Sequence, residues 1–375
     1  MKKGIFIYSG QIDKQNLSGI DKKVLAQFKT FEDNGFDMKL LQIQKRVNSK
    51  FSNLIYAIRH RLPNGNINLA WPNIENIKEV EFIYFRRPAF ISTSLIEYLN
   101  KLKVKNPTLK IIMEIPTFPY DGELNTRLVD KPILLKDKRN RKLLEGLVDR
   151  IAVQNNLNII FNIPTLIFTN GIRVDDYTKR ENLKLNGINI CAIASLEPWQ
   201  GYERVIVGLS NYYKEGGTEN IQISFVGTGR EETFYKNLVK EHNLQNNIHF
   251  LGFLSGKELD DVYSNSDIAL DAFGRYKTGN EISTSLKSRE YLAKGLPIIS
   301  GSKIDILDSA DKYYYEFPSN SSAIYFKNIV SFFNNTYQKN NKQEVIDEIR
   351  QIAREKCDMS ISMKNILDYV SENKE

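Results

Sequence analysis

Residues 283–299 read STSLKSREYLAKGLPII, and the parsing of the whole chain follows from this stretch. Ser283, Thr284 and Ser285 offer hydroxyls of the kind that open helices, so a helix is expected over 285–294. Gly295 is the residue type that ends one, and Pro297 prevents its continuation. The apolar run 297–300 then reads as a strand. The first amides of such a helix have no partner within it and carry partial positive charge, which makes the helix start a place for an anion, a diphosphate above all. Lys287 adds a full charge in the first turn. Glu290 stands three residues further, on a neighbouring position of the same surface, where a carboxylate can accept hydrogen bonds from ribose hydroxyls. The same pattern also suits a capped surface helix carrying a Lys/Glu pair.

Outward from this stretch the strand–helix alternation continues. Strands are expected at 188–194, 221–226, 248–251 and 268–272, with helices near 201–214, 230–242 and 256–264. Further toward the N-terminus, strands are expected at 4–8, 38–43, 82–86, 109–115, 150–153 and 166–169. Helices fall at 18–34, from Ser92, and near 132–146. This order predicts an α/β fold with parallel sheets covered on both faces. A length of 375 residues accommodates two domains, each with its own core. The polar stretch 175–187 separates an N-terminal domain, 1–180, from a C-terminal domain, 187–357. The last sixty residues look helical, and a helix within 358–375 is placed to fold back onto the first domain. The expected architecture is two Rossmann-like, doubly wound domains facing across a cleft. Ligands of such sheets bind beyond the carboxyl ends of the strands, here the loops after residues 8, 115, 194, 226, 252 and 272.

Hydrophobic residues make up 41% of the chain and charged residues 26%, values of an ordinary globular protein. No apolar run approaches the roughly 20 residues that span a bilayer. The opening MKKGIFIYSG is cut short by Gln11, Asp13, Lys14 and Gln15, so it reads as a first strand and not as a signal peptide. Cys191 and Cys357 are expected as free thiols in a reducing cytoplasm. Residues 1–185 carry a net charge of +12 and residues 186–375 one of −5. The basic half suits an anionic partner: a phospholipid surface, a lipid-linked pyrophosphate acceptor, or nucleic acid. No recognition helix or stacking motif supports nucleic acid. Residues 51–62, FSNLIYAIRHRL, place Phe51, Leu54, Ile55, Ile58 and Leu62 on one face, with Arg59 and Arg61 near the end. That segment and the cluster Lys136 to Lys142 are the two surfaces that could touch an anionic membrane. Packing on the chain's own sheet, and a solvated helix face, are the plainer readings of each.

The segment running from Glu290 to Gly295-Leu296-Pro297 resembles the glutamate-to-GLP signature of retaining glycosyltransferase family 4, a GT-B family. Other segments resemble that family in the same order: TNGIR at 169–173, SLEPWQGYER at 195–204, FVGTG at 225–229 and IHFLGFLSGKEL at 248–259. Ser18-Gly19-Ile20 resembles its glycine-bearing loop at the first helix. EIPTFPYDGE at 114–123, SLKSREY and WQGYER resemble bacterial capsule and exopolysaccharide glycosyltransferases. The resemblance implies that Glu290 binds the donor ribose, that Ser285, Leu286 and Lys287 hold the diphosphate, that Gly19, Gly227 and Gly229 lie in loops near the donor, and that Phe253 and Leu254 border the base.

The chain also departs from the family pattern. An Arg and a Lys usually stand where this chain has Ser195 and Gln200, so Arg204 and Lys287 are the candidate replacements. Glu281 and Glu290 have eight residues between them, whereas the family's paired glutamates have seven. Glu281 is the candidate catalytic acid, at a spacing one residue longer than that of the family's sugar-binding glutamate. A cation and helix amides can stabilise charge on a leaving diphosphate without a metal, and no Asp-x-Asp pair stands at a strand end, so no metal and no further cofactor is expected. Asp121, with Glu114 and Glu123 beside it, is the candidate acceptor-side acid or base.

The resulting expectation is a cytoplasmic, membrane-peripheral, retaining transferase at the inner face of the cell membrane. It would move a sugar from a nucleoside-diphosphate sugar, a UDP-sugar among the candidates, to a glycan or lipid-linked acceptor in surface polysaccharide synthesis. A non-catalytic partner on the same fold and a nucleotide-sugar epimerase are the alternatives.

Overall fold

A computed structural model describes residues 1–12, 18–43, 70–124, 130–181, 186–279, 282–337 and 341–372. The 51–62 segment with Arg59 and Arg61, and Glu281, lie outside the described residues. The chain forms two compact units. One comprises Met1–Thr169 with Ser362–Glu375, and the other Asn170–Ile361. The division thus falls ahead of the polar 175–187 stretch, because Ile172 and Val174 are buried in the core of the second unit.

In the first unit the order is β1 (Lys3–Tyr8), α1 (Gly19–Asp33), β2 (Asp37–Gln42), β3 (Phe82–Arg86), α2 (Thr93–Lys105), β4 (Lys110–Ile115), α3 (Lys131–Asn140), β5 (Arg150–Val153), β6 (Ile159–Ile160) and β7 (Ile163–Ile167). The sheet runs β2-β1-β3-β4-β5-β7-β6. It is parallel except where β6 meets β7. Apolar runs such as KIIMEI form central strands because both faces are covered, and all of β4 is buried. Lys110 and Glu114 are the charged members of that run. Glu114 is fully buried and accepts from Arg86 at 3.1 Å, Tyr84 at 2.9 Å and Gln27 at 3.1 Å, so its charge is neutralised inside the unit. Helix α1 starts at Ser18, whose hydroxyl accepts from the Asp21 amide while the Asp21 carboxylate accepts from the Ser18 amide.

The second unit contains β8 (Ile188–Ile193), α4 (Glu203–Lys214), β9 (Ile221–Val226), α5 (Glu232–Glu241), β10 (Ile248–Gly252), α6 (Gly256–Ser264), β11 (Ile268–Leu270), β12 (Ile282–Ser283), α7 (Leu286–Lys294), β13 (Ile298–Ser300), β14 (Lys303–Ile304), β15 (Tyr314–Glu316), α8 (Phe326–Tyr337) and α9 (Lys342–Lys356). Its main sheet is parallel, in the order β10-β9-β8-β11-β13-β15. Numbered by appearance within this sheet, that is the 3-2-1-4-5-6 order of dinucleotide-binding folds. The direction of winding reverses between β8 and β11, which pair at Ile190–Ile268, so their carboxyl ends flank the crevice where such sheets bind ligands.

A short helix, α10 (Met359–Ser362), precedes α11 (Lys364–Ser371). Helix α11 belongs to the first unit. Its last carbonyls accept from Lys2 (to Ser371, 2.7 Å) and Lys110 (to Tyr369, 2.6 Å), cations at the negative end of the helix dipole. The chain is therefore two Rossmann-like α/β domains. Among the described residues no helix is long and apolar enough to cross a membrane.

Candidate functional site

The site is built on the second unit, where the loops after β8 and β11 and the start of α7 converge. Ser285 has the extended backbone of a helix N-cap, φ −69° and ψ 143°, but its hydroxyl caps nothing. It donates instead to Asp271 Oδ1 at 3.1 Å. No cap side chain therefore competes with a ligand for the first-turn amides of α7. At the other end Gly295 closes the helix with φ +81°, and a Cβ there would stand 2.7 Å from Ile346 Cγ2. Leu286 is the half-buried first residue of the helix.

Lys287 rises from the first turn toward the β8 loop. Its Nζ donates to Gln200 Oε1 at 2.7 Å and pairs with Asp271 Oδ1 at 3.1 Å. Asp271 is completely buried, and its Oδ2 has no hydrogen-bond partner among the described residues. Burial pulls the Lys287 ammonium below its ordinary value, and Asp271 returns part of that loss. Burial pushes the Asp271 carboxyl up, but Lys287, the Ser283 hydroxyl and Arg275 outweigh it and the net shift is downward. The pair is a carboxylate and an ammonium held just under the amino end of a helix.

Glu290 is half-buried on the same helix and accepts from the Tyr177 hydroxyl at 3.2 Å. Gly227 and Gly229 have a packing reason for being glycine. A Cβ on Gly227 would stand 2.1 Å from the Ala194 carbonyl oxygen, at φ +122°, and one on Gly229 2.4 Å from that of Leu196. Close packing of the β9 loop on the β8 loop requires them, whatever ligand is present. Phe253 is 79% exposed after β10, and Leu254 beside it is half-buried.

Arg204 has another role from the one expected. It is buried, and its guanidinium donates to the carbonyls of Ser322 (2.7 Å), Phe273 (2.8 Å) and Pro318 (2.9 Å). It ties the loops after β11 and β15 to helix α4 and has few donors left for a phosphate. Asp121 is likewise engaged, pairing with Arg141 at 2.7 Å and Lys138 at 3.2 Å. The Arg141 hydrogen bond and the Lys138 contact hold its carboxyl below the usual range, which weakens it as a proton acceptor. Gly19 opens α1 in the first unit, with no atom within 4 Å of a Cβ placed there.

Sequence reading missed Asp271 and Arg275. Asp271 follows an apolar run, IALDAF, and a single carboxylate at the end of an expected strand gives no spacing pattern. Arg275 follows in a turn that carries no motif. Among the described residues, no three His, Cys, Asp or Glu side chains gather as a metal site would require.

Comparison with known proteins agrees with this fold. Residues 174–308 match the family model "Glycosyl transferases group 1", a span that contains Gln200, Asp271, Lys287 and Glu290. No curated protein sequence matches the chain. A glycosyltransferase from Rickettsia africae ESF-5 is similar in structure, with TM-score 0.60, 14% identity and 100% of both chains covered. Sucrose-phosphate synthase from Thermosynechococcus elongatus superposes with TM-score 0.57 at 10% identity, over 99% of each chain. HepE from Anabaena, solved in complex with UDP, gives TM-score 0.54 at 12% identity, over 99% of this chain and 100% of that one. These likenesses establish the fold, which extends over the full length of each.

Proposed function

We propose that the chain is a glycosyltransferase whose donor, a nucleoside-diphosphate sugar, rests its diphosphate against the amino end of α7. The observation that carries this reading is the Ser285–Lys287 arrangement: an N-cap hydroxyl turned away from the helix amides, with an ammonium beside them. Lys287 and the first-turn amides meet the phosphates, and Glu290 accepts from the ribose, displacing or sharing Tyr177. Exposed Phe253, with Leu254, borders the base. The UDP complex of HepE makes a UDP-sugar the first donor to try.

In the reaction the sugar C1–O bond breaks and its electron pair passes to the β-phosphate oxygen. The acceptor hydroxyl oxygen bonds to C1, and its proton leaves to a phosphate oxygen. Attack on the same face as departure gives retention and needs no protein nucleophile. Lys287 and the helix dipole stabilise the charge on the departing diphosphate. The acceptor we favour is a glycan on a lipid carrier for a bacterial surface polysaccharide, reached at the inner face of the membrane through the basic N-terminal half. A thermal-shift panel of nucleoside diphosphates tests the reading, followed by turnover with the matching sugar donors. If no diphosphate stabilises the protein, the reading fails. A donor consumed without acceptor and returned as its epimer would identify an epimerase instead. A non-catalytic relative would show no turnover and no dependence on Lys287 or Glu290.

A further inference from the structure

With Arg204 bound to carbonyls, the site as described has one cation for two phosphates. The loop that ends at Asp271 carries a second. Arg275 opens a single 3-10 turn, Arg275–Thr278, and the backbone before it is pinned to the β8 loop. The Phe273 amide donates to the Gln200 carbonyl at 2.6 Å and the Gly274 amide to that of Trp199 at 3.2 Å. A Cβ on Gly274 would stand 2.8 Å from the Pro198 oxygen, and Lys277 bridges the turn to Glu203 at 2.6 Å. Arg275 is thus anchored at the same point as Gln200, the acceptor of the Lys287 ammonium.

Its guanidinium is treated differently from those of the other arginines packed into this unit. Arg180 donates to the carbonyls of Gly295 and Ser266, Arg289 pairs with Asp305, and Arg350 donates to the carbonyl of Tyr177. Arg275 makes no side-chain hydrogen bond or ion pair to a described residue, and its Nε is buried without a partner. Asp271 and Lys287 both feel its charge. The Tyr202 hydroxyl, on the ring that lies 5.9 Å from the Lys287 ammonium, is also buried without a partner. One carboxylate therefore stands against two cations and a helix amino end. Arg275 is half-buried and Lys287 nearly enclosed, uncompensated charge in such a place is costly, and an anion arriving from outside removes the imbalance.

We infer that Arg275 is a second catalytic cation of the donor site, which together with Lys287 brackets the diphosphate and takes the role first assigned to Arg204. The inference rests on the proposed donor reading. A guanidinium suits it because its rigid planar fork can bridge oxygens on both phosphates in a fixed geometry.

The test compares nucleoside diphosphate with monophosphate. A calorimetric panel of UDP, GDP, ADP and CDP on the full chain identifies the tightest binder. That diphosphate and its monophosphate are then titrated into wild type, Arg275→Gln, Arg275→Lys and Arg354→Gln. Arg354 pairs with Asp175 on the surface and serves as the control. The preference for diphosphate should fall about tenfold or more in Arg275→Gln, and turnover should lose more in kcat than in KM. Arg354→Gln should match wild type. A diphosphate preference unchanged in Arg275→Gln overturns the inference. If that variant does not fold, Arg275→Lys decides: a fall of about threefold supports the bridging role, and an unchanged ratio overturns it. If wild type binds no nucleoside diphosphate, the donor reading itself is what fails. If Lys287→Ala weakens diphosphate binding while Arg275→Gln leaves the diphosphate preference unchanged, only the Arg275 assignment is lost.

Discussion

The Nζ of Lys287 donates to Oε1 of Gln200 at 2.7 Å. Gln200 is the position at which the resembled family carries a cation, so here the positive charge comes from the helix to the same place and is received by a neutral amide. The Lys287 ammonium thus stands within hydrogen-bond reach of that position from 87 residues away in sequence.

Replacing Lys287 by Ala should weaken diphosphate binding by about 2–3 kcal/mol, roughly 30–150-fold, because a partly buried charge pair with the ligand is lost and Asp271 is left uncompensated. Calorimetry of wild type and variant measures this. Lys287→Arg should retain part of the affinity.

The pH dependence follows from the same pair. Diphosphate binding needs the ammonium, whose folded-state value lies below 10.5 through burial. Affinity is therefore full below that lowered value and lost as pH rises through it. Asp271→Asn removes the charge that holds the ammonium up, so the basic limb of kcat/KM should move to lower pH. A limb that stays in place, or moves up, contradicts the pairing.

Arg204→Met should act on stability. The buried Phe273 carbonyl and the part-buried Ser322 and Pro318 carbonyls lose their donor, at a cost of about 2 kcal/mol, read as a lower urea midpoint. Protein that remains folded should keep its preference for diphosphate over monophosphate. A selective loss of that preference would restore Arg204 to the donor site.

Gly227→Ala places a methyl 2.1 Å from the Ala194 carbonyl at a backbone φ of +122°. Denaturant unfolding should show a loss on the order of 3 kcal/mol, with or without nucleotide present.

Glu290→Gln should weaken a ribonucleoside diphosphate several-fold through the lost hydrogen bond to a ribose hydroxyl, about 1 kcal/mol. The corresponding deoxynucleotides should be affected less. Equal losses for both would remove Glu290 from the ribose.

The two parallel sheets were readable because their strands are short apolar runs such as IQISFV and KIIMEI, separated by amphipathic helices. Their ends agree with the expected ones within a few residues. Strand β15, only Tyr314–Glu316, was too short to show a period and fell at the edge of a region that reads as helical. The start of α7, with Lys287 and Glu290, was visible because helix caps have local signatures. Asp271 and Arg275 were not, because their meaning comes from what the sheet order brings beside them. Arg204 was misjudged for the same reason: an arginine has one sequence appearance, whether it clamps carbonyls or meets phosphate.

The measurement that bears most directly on all this is the binding of nucleoside diphosphates to the full chain, with and without Lys287. One diphosphate of the panel should bind wild type with a saturating isotherm and lose about 30-fold or more in Lys287→Ala, while its monophosphate changes little. If no diphosphate binds, or if the variant binds as tightly as wild type, the amino end of α7 is not a donor site.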